Sequence, residues 1–182
     1  MPHIFIKSLK VGLWVVLTLI FTSSSSIEEK PDKKILAAGS YMLNIAGERQ
    51  LKLEGIINFE TTKKCSPKGK EYAILKLILN DNQELPGHSL EFFLSKQYQS
   101  MNIGHGRHEI SENIEGFLNY FDGVFAFANI NQFGELPFFA KNGAITIDDI
   151  NDRIIKGSIN VVFENPNDEI VRLDGEFSAF RK

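Results

Sequence analysis

From Gly143 to Arg181 the chain alternates apolar and polar side chains with hardly a break. Ile155, Gly157, Ile159, Val161 and Phe163 share one phase, and Lys156, Ser158, Asn160 and Glu164 take the other. Further on, Val171, Leu173, Gly175, Phe177 and Ala179 oppose Arg172, Asp174, Glu176 and Ser178. Successive side chains of a pleated strand point to opposite sides, so a sustained period of two marks strands with one buried face and one wet face. Between the last two strands, Glu164-Asn165-Pro166-Asn167-Asp168 has turn chemistry, because proline presets φ and Asn and Asp bond back to their own backbone. With Gly143-Ala144-Ile145-Thr146-Ile147-Asp148 ahead of them, these strands form an antiparallel meander.

The same grammar runs upstream. Tyr41, Leu43 and Ile45 are in phase within Ser40 to Ile45, and Leu51, Leu53, Gly55, Ile57 and Phe59 within Leu51 to Thr61. With Ala46-Gly47-Glu48-Arg49 turning the chain, the two segments predict a hairpin. Thr61 to Lys70 reads as a loop by composition, since it holds Cys65, Pro67 and Gly69. Tyr72 to Asn80 fits a strand with Ala73, Leu75, Leu77 and Leu79 on one face; its leucines also fit a short helix, but length and flanking breakers favour the strand. Leu90 to Leu94 and a short piece near Arg107 to Ile110 add two more. Phe117 to Ile130 alternates too, and the aromatic phase (Phe121, Gly123, Phe125, Phe127) is expected inward, with Asp122, Val124, Ala126 and Ala128 outward. Asn142-Gly143 predicts a type I′ turn joining Phe138–Lys141 to Ala144–Asp148.

Gly55, Gly123, Gly157 and Gly175 each sit on the apolar phase with large apolar neighbours two residues away, which suits strand curvature or the close approach of another side chain. No stretch has the period of a long amphipathic helix. The expectation is an all-β domain, a single antiparallel sandwich or up-and-down barrel of about eight or nine strands.

Ahead of the domain, Lys7 and Lys10 precede an uncharged run from Val11 to Phe21 and a small-residue tract from Thr22 to Ser26. That order is the pattern of a signal peptide over residues 1–26. The apolar run falls short of the roughly 20 residues needed to cross a bilayer comfortably, although an uncleaved anchor is the alternative. Residues 27–39 read as an exposed linker and 40–182 as the single β domain, so the protein is expected to be exported, periplasmic or extracellular, with a mature start near Ile27 and no stable membrane insertion once the signal is removed. Loss of Lys7 and Lys10 would make the formal charge of −3 more negative by two. An acidic chain with scattered lysines offers no electrostatic footprint for nucleic acid. Cys65 is the only cysteine, so no internal disulfide is available and the core must carry the stability.

The order Phe138-Phe139-Ala140-Lys141-Asn142-Gly143-Ala144-Ile145-Thr146-Ile147, then Ile154–Asn165, then Val171–Phe180, resembles the ends of secreted or lipid-anchored β-rich domains of unknown function from Bacteroidetes-type bacteria. Those domains close with a Gly-x-Ile-x-Ile strand, a strand with a central glycine, and a last strand near Gly-x-Phe. The resemblance implies a β-rich envelope or secreted protein and carries no functional residue with it. This chain lacks the lipobox cysteine of the lipid-anchored members.

Chemical motifs are sparse. His105 and His108 have a spacing that could serve zinc if a third ligand joined them, but no Cys or carboxylate at a recognised spacing completes a site, and solvated imidazoles in a glycine-punctuated loop fit better. The cluster Asp148-Asp149-Ile150-Asn151-Asp152 lacks the glycine and distal glutamate of a calcium loop and reads as a turn. Neither a cofactor nor a nucleophile–base–acid set is visible, so an enzyme, a hydrolase included, is the least favoured class. The phenylalanines stand out. Phe121, Phe125, Phe127 and Phe138 are candidates for lining a lipocalin-like cavity for a small apolar ligand, although a packed core free of disulfides is the reading favoured for them. The leading expectation is a non-enzymatic binding or interaction protein of the cell envelope, its partner a protein or a small apolar ligand. Ile56, Ile74, Val124, Val162, Ile170 and Phe180, which interrupt the polar phases, would mark a contact patch.

Overall fold

The alternating segments become nine strands: β1 Ser40–Ala46, β2 Leu51–Cys65, β3 Glu71–Asn80, β4 His88–Gln97, β5 Gly106–Glu109, β6 Gly123–Ile130, β7 Phe138–Ile150, β8 Ile154–Glu164 and β9 Ile170–Arg181. The computed structural model describes residues 36–47, 50–82, 87–97, 103–111 and 120–182. The signal segment 1–26 and the linker up to residue 35 lie outside the described residues.

Apart from β5, each strand pairs antiparallel with the next along the chain; β9 pairs with β1, and an eight-stranded up-and-down barrel closes. Closure removes the two outer edges that an open sheet of these strands would present. β6 and β7 meet only through Phe127↔Phe139 and Ala128↔Phe138. Where they diverge, β5 is inserted between them, paired along the later half of β7 and tied to β6 by the Ile110↔Val124 bridge. The turns β1–β2, β3–β4, β6–β7 and β8–β9 gather at one end, the first mouth, and β2–β3 and β7–β8 at the other, the second mouth.

Most of the interior is apolar. Phe92 from β4 and Phe163 from β8 meet edge to face at 6.1 Å across the barrel, and both are fully buried. Their contact explains why β6 differs from expectation. Val124, Ala126, Ala128 and Ile130 face inward, while Phe125 and Phe127 face out. Ala126 is the register partner of Phe92, and only a small side chain there leaves room for the two rings to meet. The phase of this strand is therefore the reverse of the one expected from its aromatics, and Val124 belongs to the core rather than to an outer patch.

Two other expectations are corrected. Asn142-Gly143 makes no turn: β7 runs straight through it, with a bulge between Ala140 and Asn142. Gly143 takes φ +112°, and a Cβ there would overlap Asn160 O, so the glycine serves a strand kink. Thr61–Cys65 is likewise strand, laddered to Glu71–Leu75; the turn is confined to Ser66–Lys70. These residues look like loop because they are exposed on a hairpin that projects past the wall.

The inward glycines do permit close approach. Register pairs Gly157 with Phe177, Phe177 with Tyr41, and Tyr41 with Gly55, a row across β8, β9, β1 and β2 in which each ring lies next to a bare backbone. A Cβ on Gly55 would stand 2.9 Å from the Tyr41 hydroxyl, and one on Gly157 3.1 Å from Phe177 Cζ. Aromatic cover of strand glycines is a recurrent way to build a curved sheet.

Candidate functional site

The doublets Phe92-Phe93 and Phe138-Phe139 each send one ring inward and one outward. Phe93, Phe125, Phe127 and Phe139 therefore collect on the outer wall of β4, β6 and β7, with centroids 6.2 Å (Phe93–Phe125), 6.4 Å (Phe93–Phe127), 6.3 Å (Phe125–Phe127) and 6.4 Å (Phe125–Phe139) apart. Phe139 is the most open, 40% exposed. Lys76 lies 5.1 Å from the centre of the Phe93 ring and 2.8 Å from Glu91. On the far side Lys141 pairs with Glu164 at 3.1 Å. The result is an apolar face with a rim of paired charges, the composition of a contact surface. Of the other candidates, Phe138 is fully buried beside Phe133, and Phe121 is buried just ahead of β6.

A second constellation is internal, and only its parts were legible. Tyr41 is in phase with Leu43 and Ile45, and His88 with Leu90, Phe92 and Leu94, so both point into the barrel near the first mouth. The Tyr41 side chain crosses Gly55 and its hydroxyl lies 2.5 Å from His88 Nε2 and 3.3 Å from Asn80 O. His88 Nδ1 is 3.8 Å from the Asp81 carboxylate, which also accepts the Gly87 N–H at 3.2 Å. The carboxylate favours the Nδ1–H tautomer, leaving Nε2 to accept from Tyr41. Burial holds His88 below the usual histidine range, and the nearby Asp81 charge pulls the other way without prevailing. Burial, then Asp81, pushes Tyr41 well above the usual phenol range.

The order hydroxyl–imidazole–carboxylate imitates a hydrolytic triad, but Tyr41 is 2% exposed and its hydroxyl is harder to ionise than normal, the reverse of an activated nucleophile. The trio is a satisfied polar link in the core. It has a consequence for stability. Because the folded state binds the His88 proton less well than the unfolded chain does, this stability is present above about pH 6.5 and is lost as pH falls from there through the folded value. Chemical denaturation should show a midpoint that declines from pH 7.5 to 5.5 in the native protein and declines less in His88→Gln.

His105 and His108 take separate partners. His108 is buried with Nε2 2.9 Å from Gly104 O, while His105 is exposed with Nδ1 2.9 Å from Asp148 O. Among the described residues no group of three His, Cys, Asp or Glu side chains is placed to hold a metal ion. Asp148 and Asp149 belong to the end of β7, and Asn151 makes the turn by accepting the Arg153 and Ile154 N–H groups. Cys65 is exposed at the end of β2. At the first mouth a groove of about 670 Å³ is lined by Phe133, Phe138, Ile170 and Val171, with Asp168 and Glu169 on its rim.

No family model, curated protein or solved structure matches the chain. The site has to be read from its own chemistry.

Proposed function

We propose that this is a non-enzymatic binding protein of the cell envelope, exported by its first residues, which engages a partner protein through the outer face of Phe93, Phe125, Phe127 and Phe139. The observation that carries this reading is a cluster of four neighbouring rings on the outer barrel wall, where Ile56, Ile170 and Phe180 are also exposed. Phenylalanine is enriched in the cores of protein interfaces, and a rim of mutually paired charges suits a protein surface better than an anionic bilayer. Elsewhere on the wall, Lys52, Glu54, Lys156, Asn160, Arg172 and Asp174 face water. That is opposite to the apolar exterior of outer-membrane barrels. The resemblance of the last strands to secreted β-rich domains supports the envelope assignment.

Site-specific photocrosslinking in cells tests the reading. With p-benzoylphenylalanine in place of Phe139, a discrete higher-mass adduct is expected; in place of Ser158, on another part of the wall, none is expected. Equal adducts from both positions, or none from position 139, would remove the outer face as the working surface. The carrier reading keeps one observation in its favour, the groove at the first mouth with Phe133, Phe138, Ile170 and Val171 in its lining, whereas the barrel interior itself is occupied by side chains such as Phe92 and Phe163.

A further inference from the structure

Two cations sit where the alternation calls for core residues. Along β2 the inward phase runs Leu53, Gly55, Ile57, Phe59, Thr61, Lys63, and along β9 it runs Val171, Leu173, Gly175, Phe177, Ala179, Arg181. Each series is apolar or small until its last members, which lie at the second mouth. There they help to line a cavity of about 590 Å³ with Ala73, Leu75, Ile103 and Ile150. The volume falls in the range of about 300–1,000 Å³ typical of small-molecule sites, which favour the mouths of β-barrels.

The guanidinium of Arg181 is fixed in this position. Its Nε donates to Asp152 O at 2.5 Å, an Nη lies 3.4 Å from Thr61 Oγ1, and its Cζ stands 5.1 Å from the centre of the buried Phe59 ring. Among the described residues no ion pair to Arg181 is present, so its charge is met by a carbonyl, a hydroxyl and a π face. A guanidinium held in place with donors to spare is suited to the planar fork of a carboxylate or the oxygens of a phosphate. Lys63 on the facing strand adds a second positive charge, and the Thr61 and Thr62 hydroxyls add polar groups. Below them the walls are alkyl. Asp152 also borders the cavity and its negative charge opposes an anion, so the two cations have to outweigh it.

We infer that the second mouth of the barrel binds a single-chain anionic amphiphile, its head between Arg181 and Lys63 and its chain against Ala73, Leu75, Ile103 and Ile150. This site lies on different residues from the aromatic outer face, and neither depends on the other. The head chemistry is shared by fatty carboxylates and alkyl phosphates, so both belong in the test.

Isothermal titration of the protein at pH 7.5, below the micelle threshold of each probe, decides the matter. Decanoate or decyl phosphate is expected to bind saturably at one site per chain, and whichever binds tighter identifies the head group. Decanol should bind at least tenfold more weakly, and decyltrimethylammonium should not saturate. Arg181→Gln should weaken the anionic probe about tenfold or more, Arg181→Lys less, and Lys63→Gln severalfold. Because Arg181 also covers Phe59, the unfolding midpoint of each variant is measured alongside; Lys63→Gln, on an exposed hairpin, carries the test if Arg181→Gln unfolds. Absence of saturable binding by both anionic probes, decanol binding as tightly as they do, or unchanged affinity in both the Arg181→Gln and Lys63→Gln variants would overturn the assignment.

Discussion

Gly157→Val should come close to unfolding the protein, while Ser158→Val, one residue along the same strand, should leave it nearly unchanged. A Cβ at position 157 would overlap the Thr146 carbonyl oxygen of β7 and press on Phe177 from β9, so both neighbouring strands would have to move. Overpacking a core typically costs about 1–3 kcal/mol, and a collision with backbone belongs at or above the top of that range, since a carbonyl cannot change rotamer. Ser158 sits on the outer phase between Thr146 and Glu176, where a surface substitution changes stability by about 0.5 kcal/mol or less. Urea denaturation midpoints measure the difference. Similar midpoints for the two variants would show that β8 does not present Gly157 to the interior.

The second large effect separates the inner ring set from the outer one. Phe92→Ala removes a fully buried ring and its edge contact with Phe163 across the barrel, and should cost about 3–5 kcal/mol. Phe125→Ala removes a ring that touches Phe93, Phe127 and Phe139 but is partly in water already and leaves no enclosed void, so it should cost less than the inner truncation. The variants would be compared by calorimetric unfolding. A larger loss for Phe125 than for Phe92 would mean that the outward assignment of the β6 aromatics is mistaken.

How far the sequence carried depended on whether neighbours or partners decided each feature. The strands from Ile154 to Arg181 were legible to the side-chain phase, because each residue's burial follows from alternation alone. The phase of β6 was not, because both of its faces are apolar: Ala126 goes inward opposite Phe92, whose ring meets Phe163, and both rings are remote in sequence. Asn142-Gly143 has the same local chemistry in a turn and in a bulge, and the long β8 partner selected the bulge. Sheet closure, more than composition, distinguished barrel from sandwich. Tyr41 and His88 could each be placed on an inward phase, but that they meet depends on the stagger of β1 against β4 around the barrel. Lys63 and Arg181 also lay in plain view at the ends of apolar phases. Reading them required knowing that both series run out at the same mouth.

The pairing of β1 with β9 sets a constraint on how the chain can be made. β1 is the first barrel strand to be synthesised and β9 the last, and one flank of β1 has no permanent partner until β9 arrives. Through that interval the chain carries an open strand edge of the kind that joins foreign strands. Ribosomal synthesis at about 5–20 residues per second makes the exposure a matter of many seconds. A chain stalled or cut before Ile170 would keep the hairpins of the earlier strands yet be unable to close. Such truncated forms are expected to aggregate rather than persist as smaller barrels.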